Sequence, residues 1–125
     1  MMIEVRTTSH RQMVDITARV AAAIEGSGDG SCHVFVPHTT AAVVINESAD
    51  PDVARDLVAA YEAMVPSIPF NHAEGNSDAH LMATLLGSSI TVPFEGGRLC
   101  LGTWQGIFFV ELDGPRLRKV RVTLL

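Results

Sequence analysis

Hydrophobic residues in the first thirty positions follow two spacings, which predict a strand and then a helix. Residues 3–8 alternate apolar and polar side chains, as in a strand with one buried face. Farther along, apolar residues recur at every fourth position, and this predicts a helix that buries Ile16, Val20 and Ile24. Asp15 or Thr17 can cap this helix, and the glycine-rich run 26–30 ends it.

Two apolar, β-branched runs follow, at residues 32–36 and 41–46. Runs of this composition are typical of strands. Between them lies the polar segment Pro37-His38-Thr39-Thr40. The sequence therefore predicts two strands, with an interruption between them that carries candidate functional residues.

Asp50 and Pro51 predict the start of a second helix, with the aspartate as N-cap and the proline at the first helical position. One face of this helix is apolar and is expected to pack on a sheet, because it carries Val53, Leu57, Tyr61 and Met64. The prolines within residues 66–70 end the helix, since proline lacks an amide hydrogen and restricts the residue before it.

A short third helix is expected to start at Ser77 or Asp78 and to stop at Gly87, with His80 in its first turn. After Gly87 the pattern changes to a meander of strands, at 89–94, 98–101, 104–112 and 117–125. Helices without strict strand–helix alternation predict an α+β fold. We expect one domain over residues 1–125, with a mixed or mostly antiparallel β-sheet and two or three helices.

Composition adds a hint of subunit association, because 47% of the 125 residues are apolar, 18% are charged and the mean hydropathy is +0.25. No apolar run is long enough to span a membrane, and the first ten residues include Glu4 and Arg6, so we expect a cytoplasmic protein without a membrane partner. Cys32 and Cys100 both lie beside apolar residues and are expected to be buried free thiols.

The net charge of −5 argues against a nucleic-acid binder, which would present a basic domain. The charges are nevertheless separated: four of nine basic residues lie within 116–121, whereas acidic residues dominate 47–78. A local anion site therefore remains open.

Candidate catalytic or metal-binding residues are most concentrated in the nine-residue segment from His72 to His80. This segment contains two imidazoles, two carboxylates and a carboxamide. Imidazole carries a metal or a proton near neutral pH. A solvated loop before a capped helix is the plainer interpretation. A reversal at Gly75 could bring both rings towards His38 and form a three-histidine site for zinc or another divalent ion, or, without metal, for phosphate.

The acidic and amide residues of this run admit two roles. Glu74, Asn76 and Asp78 could fix the imidazole tautomers, or they could hold magnesium against a diphosphate. Asp78 could equally cap the helix, whereas Glu74 has no capping task.

Four further segments supply candidate ligand contacts. Thr39 and Thr40 offer hydroxyls beside His38, and Asn46 and Glu47 end the following strand. Trp104 and Gln105 offer an aromatic face and an amide, although a lone tryptophan more often packs in a core. Arg116 follows a Gly-Pro turn and suits a phosphate, or simply solubilises the surface.

Five motifs occur in one order along the chain: His38-Thr39-Thr40-Ala41-Ala42, Asn46-Glu47, Glu74-Gly75-Asn76-Ser77-Asp78-Ala79-His80, Gly102-Thr103-Trp104-Gln105 and Glu111-Leu112-Asp113-Gly114-Pro115-Arg116. In these motifs the sequence closely resembles the YjbQ family, from about residue 3 to its last residue. Members of that family are described as secondary thiamine-phosphate synthases. The resemblance implies a compact α+β domain, commonly a homotrimer, with a polar cleft built from the histidine motifs.

The implied reaction transfers a pyrimidine-methyl group from its diphosphate to a thiazole phosphate. Under this resemblance the expected catalytic residues are His38, Glu47, His72, Glu74, Asp78 and His80, with the three histidines as ligands of a divalent metal, zinc or magnesium. The expected substrate contacts are Thr39, Thr40, Asn46, Asn76, Trp104, Gln105 and Arg116. Two alternatives stay open: a metal-dependent phosphoester hydrolase, and a non-catalytic homotrimeric module that binds a phosphorylated metabolite.

Overall fold

The strands form two antiparallel sheets, and three helices occupy connections between them. A computed structural model describes residues 1–125. Along the chain the elements are β1 (Met2–Arg6), β2 (Gln12–Asp15), α1 (Thr17–Ile24), β3 (Gly30–Phe35), β4 (Ala41–Glu47), α2 (Pro51–Ala63), α3 (Ser77–Leu86), β5 (Ser89–Glu95), β6 (Arg98–Leu99), β7 (Gln105–Glu111) and β8 (Leu117–Leu124). The five-stranded sheet has the order β1-β8-β3-β5-β6, and the three-stranded sheet has the order β2-β7-β4.

The main core lies on the inner face of the five-stranded sheet. Alternate residues of its strands point inward, among them Val5, Val34 and Val120, and they join Val20 and Ile24 of α1 in a cluster of 16 buried residues. Removing each such side chain from water contributes about 1.5–3 kcal/mol. The alternation in the sequence therefore reports one buried and one exposed sheet face.

The central strand of the three-stranded sheet, β7, is buried on both faces. Ile107 and Phe109 of β7 join the main core, whereas Val110 belongs to a second cluster, under α3, with Ala42, Ala79, Met82, Ala83 and Leu112. This arrangement explains why β7 is a continuous apolar run rather than an alternating one. It also places α3 beside β4, which positions the histidines described below.

The predicted α+β fold, with mostly antiparallel strands and two or three helices, is confirmed. The strands form two sheets rather than the one expected, and the predicted meander after Gly87 is wrong. Strand β7 leaves the sheet of its neighbours β6 and β8 and pairs with β2 and β4 instead. Strand order along the chain is an incomplete guide, because consecutive strands are neighbours in only roughly two thirds of cases. The four-residue strand β2 was not predicted, since its alternation is too short to be distinguished from a loop.

Only α2 starts with the predicted side-chain cap, because the N-caps of α1 and α3 are Ile16 and Asn76 and neither makes a side-chain cap hydrogen bond. The Asp50 carboxylate accepts from the Asp52 amide at 2.9 Å, with Pro51 in the first turn of α2, and the Asp15 carboxylate accepts from the Thr17 amide at 2.9 Å. The expected apolar face of α2 is only half covered: no residue of this helix is fully buried, and Met64 is 62% exposed. Within the chain, α2 is thus the least covered helix.

Cys32 is a buried free thiol as predicted, and burial raises its pKa. Cys100 is exposed, which corrects the expectation for that residue. Cys100 follows the two-residue strand β6 at the edge of the five-stranded sheet, where apolar neighbours in sequence do not guarantee cover. None of the three helices has the length and apolar character that a membrane crossing requires.

Candidate functional site

A cleft of about 500 Å³ opens between the β3–β4 turn and helix α3. His38 and Thr39 line it from the turn, His80 and Thr84 line it from α3, and Ser88 lines it from the α3–β5 corner. This volume is within the range of sites that bind small molecules. We call it the histidine cleft, because it brings together histidines from two motifs that lie 42 residues apart (80 − 38).

Pro37 accounts for the position of His38. In the β3–β8 ladder Phe35 lies opposite Arg121, so the same register continued would place Pro37 opposite Lys119. Proline cannot continue a ladder. The chain leaves the sheet there, and the Lys119 amide donates instead to His38 Nε2 at 2.9 Å. The imidazole therefore takes the place of the missing strand residue.

This hydrogen bond fixes the protonation pattern of His38. An imidazole nitrogen that accepts a hydrogen bond carries a lone pair, so the proton of neutral His38 is on Nδ1. Partial burial lowers the pKa of His38 below its ordinary value, and the charge of nearby Arg118 lowers it further. His38 is thus a neutral hydrogen-bond donor through Nδ1 near pH 7.

The second histidine pair is looser. The rings of His72 and His80 meet edge to face with centroids 5.6 Å apart, and His72 Nε2 lies 3.9 Å from Glu74 Oε2. The side chains of His72 and Glu74 are 42% and 75% exposed. His80 therefore links the cleft to an exposed rim formed by these two residues.

The donor set of one chain does not fit a three-histidine metal site. No group of three histidine, cysteine, aspartate or glutamate side chains converges to metal-binding distance. In addition, the Nε2 lone pair of His38 is engaged by the Lys119 amide, and its Nδ1 carries the proton. Neither ring nitrogen is free to bind zinc in this arrangement.

Three predicted residues make contacts that hold the start of α3 to the loops before β2 and β8, or that order the loop before β8. Asp78 forms an ion pair with Arg11, whose side chain is only 7% exposed, and does not cap the helix. Asn76 Nδ2 and Arg116 Nη2 both donate to Asp113 Oδ2 at 3.0 Å. Within one chain, Asn76 and Asp78 are therefore engaged in contacts between segments, and Arg116 is engaged within the loop before β8.

The remaining predicted residues lie at the far end of β4. Asn46 and Glu47 close that strand, and Glu47 pairs in register with Gln105. Seven strand residues span about 20 Å, which separates them from the His38 turn. Trp104 is 63% exposed there, and one oxygen of Glu47 is buried without a hydrogen-bond partner. One chain does not bring this group to the histidine cleft.

Sequence reasoning missed the ion pair between Glu111 and Arg118, whose side chains are 0% and 3% exposed. Arg118 Nη2 donates to the carbonyl oxygen of Thr40 at 3.1 Å and to its hydroxyl at 2.9 Å, so the Thr40 side chain faces the interior. Burial alone would raise the pKa of Glu111, but hydrogen bonds from Arg118 and Thr7 bring it below its ordinary value. A signal was available, because Arg118 shares the inward phase of β8 with Val120 and Val122.

Comparisons with known proteins agree along the whole chain. The family model described as UPF0047 protein YjbQ-like matches residues 1–125. UPF0047 protein MJ1081 of Methanocaldococcus jannaschii is 44% identical, with 98% of this chain and 91% of that protein covered. UPF0047 protein YugU of Bacillus subtilis is 41% identical, with 98% and 96% covered.

Solved structures give the same result. An uncharacterized protein of the YjbQ/UPF0047 family from Clostridium acetobutylicum superposes with a TM-score of 0.95 at 47% identity, covering 100% of this chain and 99% of that one. The conserved hypothetical protein TT1486 from Thermus thermophilus gives a TM-score of 0.93 at 43% identity, with 100% and 99% covered. The chain belongs to the YjbQ/UPF0047 family.

Proposed function

We propose that this protein is a thiamine-phosphate synthase-like transferase that works in the histidine cleft. In the reaction, a bond between the pyrimidine-methyl carbon and diphosphate breaks, and that carbon bonds to the nitrogen of a thiazole phosphate. The observation that carries the proposal is the convergence of His38, Thr39 and His80 on one cleft of suitable size. The resemblance of the motifs supplies the substrates.

The cleft offers donors for the leaving group. When the carbon–oxygen bond breaks, its electron pair stays with the diphosphate, and negative charge grows on the departing oxygen. The Nδ1–H of His38 is a fixed donor for that charge, and Thr39, Thr84 and Ser88 add hydroxyl groups.

We also propose that the protein is a homotrimer. Three features support association: the half-covered helix α2, the exposed Trp104, and an outer face of the five-stranded sheet that presents Met2, Phe35 and Leu117. Exposed basic residues on that face, Lys119 and Arg121 among them, complement the acidic residues in and before α2. Light scattering on the purified protein should give three times the chain mass of 13.4 kDa; a monomer would contradict this.

Product analysis tests the transferase proposal. The protein is incubated with pyrimidine-methyl diphosphate and thiazole phosphate, and thiamine phosphate and diphosphate are measured by mass spectrometry. We expect product from the natural protein and a loss of about 100-fold or more in His80→Ala, the scale of a lost acid–base group. His10→Ala is the matched control, because the His10 side chain is 60% exposed and does not line the cleft.

The same incubation separates the alternatives. Release of inorganic phosphate from thiazole phosphate would indicate a phosphoester hydrolase. Capture of a precursor without any product would indicate a binding module. Either result would overturn the transferase proposal.

A further inference from the structure

A buried ion pair joins the two sheets next to the histidine cleft. Glu111 is the last residue of β7 in the three-stranded sheet, and Arg118 is the second residue of β8 in the five-stranded sheet. Arg118 Nε donates to both carboxylate oxygens of Glu111, at 2.9 and 3.1 Å. Neither side chain lines the cleft, so neither contacts a ligand bound there.

The outward hydrogen bonds of Arg118 go to the turn that forms one wall of the cleft. Its Nη2 group donates to both oxygens of Thr40, and Thr40 is 5% exposed. The next residue, Lys119, donates through its amide to His38. Consecutive residues of β8 therefore hold both sides of Thr39, which itself lines the cleft.

Glu111 holds Arg118 in place from the other side. Its carboxylate accepts from the Thr7 hydroxyl at 2.7 Å and from the amides of Leu112 and Asp113 at 3.1 and 3.2 Å. With both oxygens occupied, the carboxylate cannot turn away from the guanidinium without losing several hydrogen bonds. The orientation of the Nη2 group towards Thr40 is thereby fixed.

A contribution to stability does not by itself explain why this ion pair is buried here. Burying two charges costs desolvation energy, and a well-packed apolar pair of similar volume is often equally stable. A buried network that is fully hydrogen-bonded does, however, specify one arrangement of the groups around it. Here those groups are the turn residues of the cleft.

We propose that Arg118, oriented by Glu111, is a positioning residue that fixes the 37–40 turn and so presents His38 as an Nδ1–H donor to the phosphorylated ligand. This inference rests on the proposed function for the identity of the ligand. The claim about the turn and the His38 tautomer stands on the hydrogen bonds alone.

The test separates positioning from stability with the double variant Arg118→Met/Glu111→Leu, which removes both charges and keeps an apolar pair of comparable volume. The tautomer of His38 is measured from its ring nitrogen chemical shifts. In the natural protein we expect a single Nδ1–H pattern; in the double variant we expect a mixture of tautomers or exchange-broadened signals. Val20→Ala is the matched control, because it removes buried volume under α1, away from the turn.

A graded series sharpens the test. Arg118→Lys keeps the charge but not the planar group, and Thr40→Val removes the hydroxyl but keeps the carbonyl. With inorganic diphosphate as the probe, we expect its dissociation constant to rise about tenfold in the double variant and by less in the two single variants, the scale of a misplaced binding group.

A folded double variant with unchanged His38 signals would overturn the inference, as would a loss of the tautomer pattern in Val20→Ala. The nitrogen shifts do not require turnover. A natural protein that makes no thiamine phosphate would therefore contradict the proposed function while leaving the positioning role to be judged by the spectra.

Discussion

Strand β4 carries polar residues at both ends, and the fold treats the two ends differently. The first end, which we call the covered end, is the 37–40 turn, which lies against helix α3 and strand β8. There His38 accepts a hydrogen bond from a backbone amide and lines the cleft. At the far end, Asn46 is exposed and Trp104 is 63% exposed. Within one chain, therefore, a polar motif becomes a site only where other elements close over it.

The largest expected contrast between the two ends is in activity. His38→Ala should reduce formation of thiamine phosphate by about 100-fold or more, because it removes the fixed donor of the cleft. Trp104→Ala should reduce the activity of the assembled protein by less than about tenfold, because one aromatic stacking contact contributes about 1 kcal/mol. Steady-state kinetics on both variants checks this, with light scattering to record assembly. Equal losses would mean that a neighbouring copy brings the far end into the site.

In stability, the covered end should be the more sensitive. Arg118→Met leaves the Glu111 carboxylate buried without its partner, which should lower the free energy of unfolding by about 3–5 kcal/mol. Arg116→Met removes only the half-exposed contact with Asp113 and should cost less than about 1 kcal/mol. Denaturant titration measures the free energy of unfolding of both variants. A loss in Arg118→Met as small as that expected for Arg116→Met would show that the buried pair does not stabilise the fold.

The far end should respond to packing rather than charge. A Cβ added at Gly106 would lie 2.5 Å from Ser48 Cβ and 3.1 Å from Thr17 Oγ1. Gly106→Ala should therefore lower the free energy of unfolding by about 1–3 kcal/mol, the usual cost of overpacking. The nitrogen shifts of His38 should stay unchanged. A shift of those signals would couple the two ends of β4.

Acid should weaken the covered end through Glu111. Since its pKa is lower in the folded protein than its ordinary value of 4.5, the ionised carboxylate contributes stability that is fully present above pH 4.5 and is lost as pH falls through the folded-state pKa. Glu111→Gln should be less stable at neutral pH and should lose less stability below pH 4.5. Denaturant titrations at several pH values follow this, and parallel pH profiles would contradict it.

The smallest expected effect concerns metal. Because the Nε2 lone pair of His38 is engaged, His38→Ala should change the affinity for Zn²⁺ by less than about twofold. Calorimetric titration of the natural protein, His38→Ala and His72→Ala gives the comparison. Equal, large losses in both variants would show that the predicted three-histidine site does assemble, with help from another copy.

Much of the covered end was accessible to sequence reasoning. Pro37 after an apolar strand indicated the interruption, and the periodicity around His80 indicated a helix. What could not be derived was that α3 packs beside β4, because this depends on β7 joining the three-stranded sheet and being apolar on both faces. That pairing decides which histidines share a cleft.

The predicted residues at the far end show what sequence reasoning could not supply, which is the distance between motifs. Asn46, Glu47, Trp104 and Gln105 do lie together, since β4 and β7 pair in register there. Their distance from His38 follows from strand length, which a list of motifs does not convey. From the sequence, Asp78 was a candidate catalytic residue and Arg116 a candidate phosphate contact. In the fold their charges are engaged by Arg11 and Asp113.

The helices, most of the strands, the turn at Pro37 and the family were predictable from the sequence, because they depend on local spacing, turn residues and motif order. Long-range packing, in contrast, pairs β7 with β2 and β4, directs Arg118 inward to Glu111 and Thr40, and lets His38 accept a hydrogen bond from Lys119. Those contacts join residues up to 99 positions apart (111 − 12), as in the pairing of Gln12 with Glu111, and their existence depends on which apolar faces bury each other. Local pattern fixes which side chains are available, whereas the packing of the two sheets fixes which of them meet.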